Sequence, residues 1–145
     1  SLLFSKLSES NDETISGIAK KSIKEIRYHL QRSKEWIIRL GQGTNESNKR
    51  IQNAINELWM YTNELFYDSE SEIELSKEGT ATLSSALEKE WRNITSRTIV
   101  EAGLSVPENI HYSLQYGKDG IHTEHLGYLL AEMQHLPLLY PDAKW

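Results

Sequence analysis

The chain has no cysteine, which removes disulfide scaffolds, thiolate zinc sites and a cysteine nucleophile together. An excess of positive charge is also missing. The net charge of −5 argues against nucleic acid as a partner, because phosphate binding needs a basic face. No apolar run reaches about 18 residues, so no spanning segment is expected, and there is no basic-then-apolar signal segment. A cytoplasmic location fits these absences. Proline is scarce: Pro107 falls where a helix has already ended, and Pro137 and Pro141 discourage the last helix from continuing. Strand-like alternation does not persist anywhere, and no internal repeat is evident.

Helical periodicity is abundant. At 145 residues the chain suits one domain, which buries roughly 70% of its unfolded surface. The first predicted helix runs over about 11–40, capped by Asn11 or Asp12. Its stripe is Ile15, Ile18, Ala19, Ser22, Ile26, Leu30, Ser33, Ile37 and Leu40, and Gly41 and Gly43 supply the stop. The second covers about 45–66, with Ile51, Ala54, Ile55, Leu58, Tyr61, Thr62, Leu65 and Phe66 on one face. Residues 68–79 carry five carboxylates with weak periodicity and predict a solvated loop or short irregular segment. The third helix spans about 82–103 with Leu83, Leu87, Trp91, Ile94, Thr98 and Ala102 inward, and the fourth about 123–136 with Leu126, Leu129, Met133 and Leu136 inward. Residues 111–120 read as a loop with a turn at Asp119–Gly120. Long helices with short connections give an all-α bundle, and antiparallel packing follows naturally. Leu2, Leu3, Phe4 and Leu7 follow Ser1 with no polar lead-in. They read as the tail of an apolar helix, so the 1–145 domain is expected to be the C-terminal part of a longer chain.

The polar residues of the last helix pose the functional question. His125, Tyr128, Glu132 and His135 fall on one flank at about 100° per residue. Glu132 and His135 form a Glu-x-x-His pair, the spacing with which di-iron carboxylate bundles project one carboxylate and one imidazole inward from a single turn. A complete site needs two such pairs and two further glutamates from other helices. Glu101 supplies one candidate. On the first helix Glu25 is followed three residues later by Tyr28, and the histidine there, His29, comes one residue late, toward the apolar face. Three readings result: an internal hydrogen-bond network in which Glu101 or Glu132 neutralises His29, His125 or Arg97; a metal site using Glu25, His29, Glu101, Glu132 and His135; or plain solvent exposure. The network is the leading expectation, with no metal, cofactor-binding or catalytic residue in this chain.

Other motifs exclude more than they suggest. "HTEH" at 122–125 is neither His-Glu-x-x-His nor its inverse, which rules out the zinc-protease arrangement. "LGQGT" lacks the Lys-Ser/Thr of a phosphate loop and follows a helix, so a helix stop is the reading. Trp36, Trp59 and Trp91 are expected as core or interface anchors, and Tyr28 and Met60 as candidates for a partner contact.

Longer stretches are more specific. "SIKEIRYHLQRSKEWIIRLGQGTNESNKRIQNAINELWMYTNELF", "EAGLSVPENI" and the ending "GIHTEHLGYLLAEMQHLPLLYPDAKW" together resemble the C-subunit family of the bacterial ring-1,2-phenylacetyl-CoA epoxidases. The likeness runs from the first helix to Trp145. The resemblance implies a ferritin-like antiparallel helical bundle lacking its N-terminal helices here. It implies a non-catalytic, structural subunit of an oxygenase that inserts one atom of O2 into the ring of phenylacetyl-CoA. The catalytic A subunit would be the partner and would hold the di-iron centre, with electrons arriving from NADPH through a reductase. Self-association of the isolated chain is a further expectation. The rival is a di-iron oxidase or oxygenase in its own right, built on the five residues named above.

Overall fold

The computed structural model describes residues 1–108 and 117–144. The fold is all-α, with no strand among the described residues. The chain divides into two compact units, Ser1–Gln115 and Tyr116–Trp145.

In the first unit, α1 (Leu2–Leu7) leads through a tight corner into α2 (Glu13–Gly41). The corner is tied by Ser16 Oγ donating to the Ser8 carbonyl at 2.8 Å and Ser10 Oγ donating to the Thr80 carbonyl at 2.6 Å. Asp12 caps α2 by accepting from the Ile15 amide at 2.9 Å, as its side-chain chemistry predicts. The last carbonyls of α2 have no intrahelical donor, and α3 (Asn45–Leu58) supplies donors from its first turn. Asn48 Nδ2 donates to the Gly41 carbonyl at 2.6 Å and Ser47 Oγ to the Leu40 carbonyl at 2.8 Å. Thr44 caps α3 in turn, accepting from the Ser47 amide at 3.1 Å. These bonds fold the chain sharply at 42–44, so α3 packs back along α2.

Where one helix is predicted over 45–66, the chain leaves α-geometry at Trp59 and continues as a 3₁₀ segment, Trp59–Phe66. The tighter winding accompanies burial of Trp59, which is 8% exposed, and a bond from Thr62 Oγ1 to the Trp59 carbonyl at 2.7 Å.

The acidic stretch is not the loop its composition suggests. It folds as α4 (Glu70–Lys77) behind a full capping box: Ser69 Oγ accepts from the Glu72 amide at 3.3 Å, and the Glu72 carboxylate accepts from the Ser69 amide at 2.8 Å. Carboxylates in a first turn favour a helix, since they face the positive end of its dipole. No residue of α4 is buried, so the cap carries much of its stability. Replacing Ser69 with alanine is expected to cost about 1 kcal/mol, read as a lower urea midpoint by circular dichroism. An unchanged midpoint would show the box to be idle.

The third predicted helix starts late. A 3₁₀ turn, Ser85–Leu87, precedes α5 (Glu88–Glu101). Its end is as predicted: Gly103 takes φ +71°, and the Leu104 and Gly103 amides bond back to the Ile99 and Val100 carbonyls at 3.1 and 2.9 Å, a Schellman stop. Gln42 Nε2 donates to the Glu101 carbonyl at 2.7 Å. The Gln52 amide exchanges two bonds with the Ser105 backbone, at 3.0 and 2.8 Å. These pins hold α5 and its exit against α2 and α3. The core lies there: Trp59, Ile99, Ala102 and Leu104, with Ile37, Ile38, Ile51, Ile55, Trp91 and Val106 packed around them.

The second unit contains a short 3₁₀ turn, Gly117–Asp119, then α6 (His125–Leu139). The turn at Gly120, φ +84°, falls where it is predicted; the rest of the predicted loop, 111–116, lies outside the described residues. Pro137 does not stop α6, which runs to Leu139. So near the C-terminus the missing proline N–H costs one bond only, and the Tyr140 amide still reaches the Leu136 carbonyl at 3.0 Å. Apolar residues occur all round α6, and Leu129, Met133 and Leu136 of its predicted inner side are exposed.

Candidate functional site

The predicted polar residues fall on helix flanks. On α2, His29 Nε2 lies 3.6 Å from Glu25 Oε1, and both side chains are well exposed. Glu101, at the end of α5, is exposed, while Thr98, Ile99 and Ala102 form the buried side. Arg97 is exposed as well. On α6, Glu132, His135 and Tyr128 are exposed, and His125 lies 3.9 Å from Glu124 Oε1. Within the first unit, the expectation that Glu101 is buried and paired with His29 or Arg97 is therefore corrected. Charges one or two residues off an apolar stripe rotate by about 100–200°, enough to bring them out to the surface. His29 in particular sits at the edge of its stripe and not beneath it.

Among the described residues of its own unit, neither Glu–His pair has a third carboxylate or imidazole gathered beside it. Among the described residues, no three His, Asp or Glu side chains gather as they would to hold a metal ion. A di-iron carboxylate centre asks for four glutamates and two imidazoles converging on one point. Each unit by itself shows Glu–His pairs and no converging set among its described residues, which does not fit such a centre.

The structure does gather an apolar hollow. Between α2, α3 and α5 an open cavity of about 350 Å3 is lined by Leu30, Ile37, Ile55, Trp59, Trp91 and Ile94, among others. A second hollow of about 280 Å3 shares Leu30, Trp91, Ile94 and Thr95 with it and extends to Leu2, Leu3, Phe66 and Leu87. Among the described residues, Lys34 is the one titratable side chain on the first wall, so this surface has groups for apolar contact and almost none for acid–base work. The stripes predicted from sequence are the walls of this hollow. What periodicity did not reveal is that they stay open: no large side chain is fully buried among the described residues, and Leu58 and Leu65 remain exposed. The available signal was the count of stripes among the helices of the first unit, three strong ones around one hollow.

The tryptophans separate by role. Trp59 lies in the core and Trp91 packs against it with ring centroids 5.9 Å apart, while Phe66 meets Trp91 edge-on at 5.3 Å. Trp36 is exposed, with the guanidiniums of Arg32 and Arg39 at 5.4 and 5.1 Å from its ring. Tyr28 is 65% exposed, and Met60 is half-buried.

No helix among the described residues is long and apolar enough to cross a membrane. The family described as "Phenylacetic acid catabolic protein" matches residues 1–145. The C subunit of the 1,2-phenylacetyl-CoA epoxidase of Escherichia coli (strain K12) is 46% identical over 143 residues, which is 99% of this chain. The chain spans 57% of the length of that curated relative. With the helical fold and a match along all 145 residues in agreement, the chain belongs to the phenylacetic acid catabolic protein family.

Proposed function

We propose that this chain is part of a non-catalytic, structural subunit of a multicomponent oxygenase that epoxidises the aromatic ring of phenylacetyl-CoA in the cytoplasm. It would act by helix packing against the catalytic A subunit, which would carry the di-iron centre. The likeness to the C subunit of an epoxidase across almost the whole chain carries this reading. The open apolar hollow supports it, because obligate interfaces are large and apolar.

Co-expressed with the catalytic subunit, the chain is expected to co-elute with it at micromolar concentration; separate elution would remove the assignment. The rival reading, an iron oxygenase in its own right, draws on the Glu132-x-x-His135 spacing in α6. It is tested by metal analysis after loading with ferrous iron. The supporting role predicts less than stoichiometric iron, equal in the parent and Glu132→Ala chains. Stoichiometric iron that vanishes in Glu132→Ala would favour the rival.

A further inference from the structure

α2 has two unlike faces. One enters the core and the wall of the hollow; the other is cationic. Residues 20–39 hold seven of the sixteen Lys and Arg residues and two of the 21 Asp and Glu residues, a local charge of +5 against −10 over the remaining 125 residues. Lys20, Lys21, Lys24, Arg27, Arg32 and Arg39 fall within an arc of about 140°, and all six are exposed. Among the described residues none of the six reaches a carboxylate. The two carboxylates nearby are otherwise engaged: Glu25 faces His29 at 3.6 Å, and Glu35 accepts from the Gln31 amide at 2.8 Å. Like charges three and four residues apart, as in Lys20, Lys24 and Arg27, repel and weaken the helix that carries them. The arrangement therefore works against this chain's own stability, and an acidic surface laid along it would relieve the repulsion.

Three features narrow the occupant. Tyr28 stands exposed in the middle of the cationic arc, and Trp36 at its edge lies beneath two arginines; Tyr, Trp and Arg are the residues enriched at protein–protein interfaces. The face runs about 28 Å along one convex helix, which suits a protein surface and offers no cleft for a small anion. A nucleic acid, charged along its whole length, would also meet the −10 carried by the rest of the chain, whereas an acidic protein face can be confined to the cationic arc. On the supporting-subunit reading, we infer that the outer face of α2 docks an acidic face of the catalytic subunit, by charge complementarity around Tyr28 and Trp36. Such a face sets the rate and salt dependence of encounter more than the final affinity.

The test measures association of this chain with the catalytic subunit in stopped flow, from low to high salt. The triple variant K20E/K24E/R27E is compared with K6E/K77E/K89E, which changes net charge equally at positions away from α2. The α2 triple is expected to slow association about tenfold or more at low salt and to flatten its salt dependence, while the control slows it less than about threefold. Neutral K20Q/K24Q/R27Q, with helicity checked by circular dichroism, is expected to give an effect of the same sign at about one third the size or more, and stands in if the reversed triple fails to fold. Equal behaviour of the α2 and control variants would overturn the inference while leaving the supporting role intact. A parent chain that forms no complex would overturn both.

Discussion

Replacing Trp59 with alanine is expected to destabilise the first unit by about 3 kcal/mol, the lower end of the range for a buried tryptophan. The residue is 8% exposed and sits where α3 tightens into the 3₁₀ segment, with its ring against Trp91 and the core formed by Ile99, Ala102 and Leu104. Two effects set the size. Loss of the indole removes a large apolar burial and one aromatic contact, together worth several kcal/mol. The void, however, joins an open hollow that Trp59 already lines, so solvent enters and the extra cost of an empty cavity is small. Total stabilities of about 5–15 kcal/mol make this a large fraction. The urea midpoint of the helical signal should fall accordingly, and Trp59→Phe should lose less than half as much. A midpoint unchanged by the alanine would mean that the core does not centre on this ring.

A glycine to alanine change at Gly41 is expected to act in the opposite sense to helix propensity. Inside a helix alanine is favoured over glycine by about 1 kcal/mol. Gly41, however, is buried where α2 ends against α5, and an added Cβ would lie 2.3 Å from the Ala102 carbonyl oxygen and 2.9 Å from the Ala102 Cβ. The carbonyl is backbone and cannot turn aside. Its helix end is pinned from several sides, by Gln42 on the Glu101 carbonyl and by the amides of Gly103 and Leu104. Overpacking of this kind costs about 1–3 kcal/mol and sometimes more, so steric conflict outweighs propensity, and a net loss of about 2 kcal/mol is expected. Ala102→Gly does not rescue the variant, since the closest clash is with backbone oxygen. The control is Gly17, in the early part of α2 with nothing within 4 Å of its added Cβ. There alanine should stabilise by about 0.5–1 kcal/mol. Thermal or urea unfolding of both variants checks the opposing signs.

The contrast between Gly41 and Gly17 shows how far sequence reasoning reaches. A stop at Gly41 is legible because glycine tolerates what ends a helix; that Gly41 is also the point of closest approach to α5 is invisible without Ala102 in place. The five Glu and His candidates behave alike in this respect. Their spacing is in the sequence, but whether a flank faces a neighbouring helix or water depends on which elements pack beside it. Glu101 and Arg97 came out exposed because Thr98, Ile99 and Ala102 took the inner side.

By itself the sequence determined the all-α class, a cap at Asn11 or Asp12, the ends at Gly41 and Gly103, and the membership of the family, since periodicity, capping and long matched stretches are local in the chain. It misjudged the acidic segment 68–79, where carboxylates read as a loop act as a helix start, and the stop at Pro137, where only one bond was at stake. Tertiary structure alone decided that three apolar stripes stand around an open hollow, that Trp59 is buried while Trp36 lies at the surface beside two arginines, and that six cations of α2 face outward without a carboxylate among the described residues. Those outcomes depend on distances between residues far apart in sequence, which no local pattern encodes.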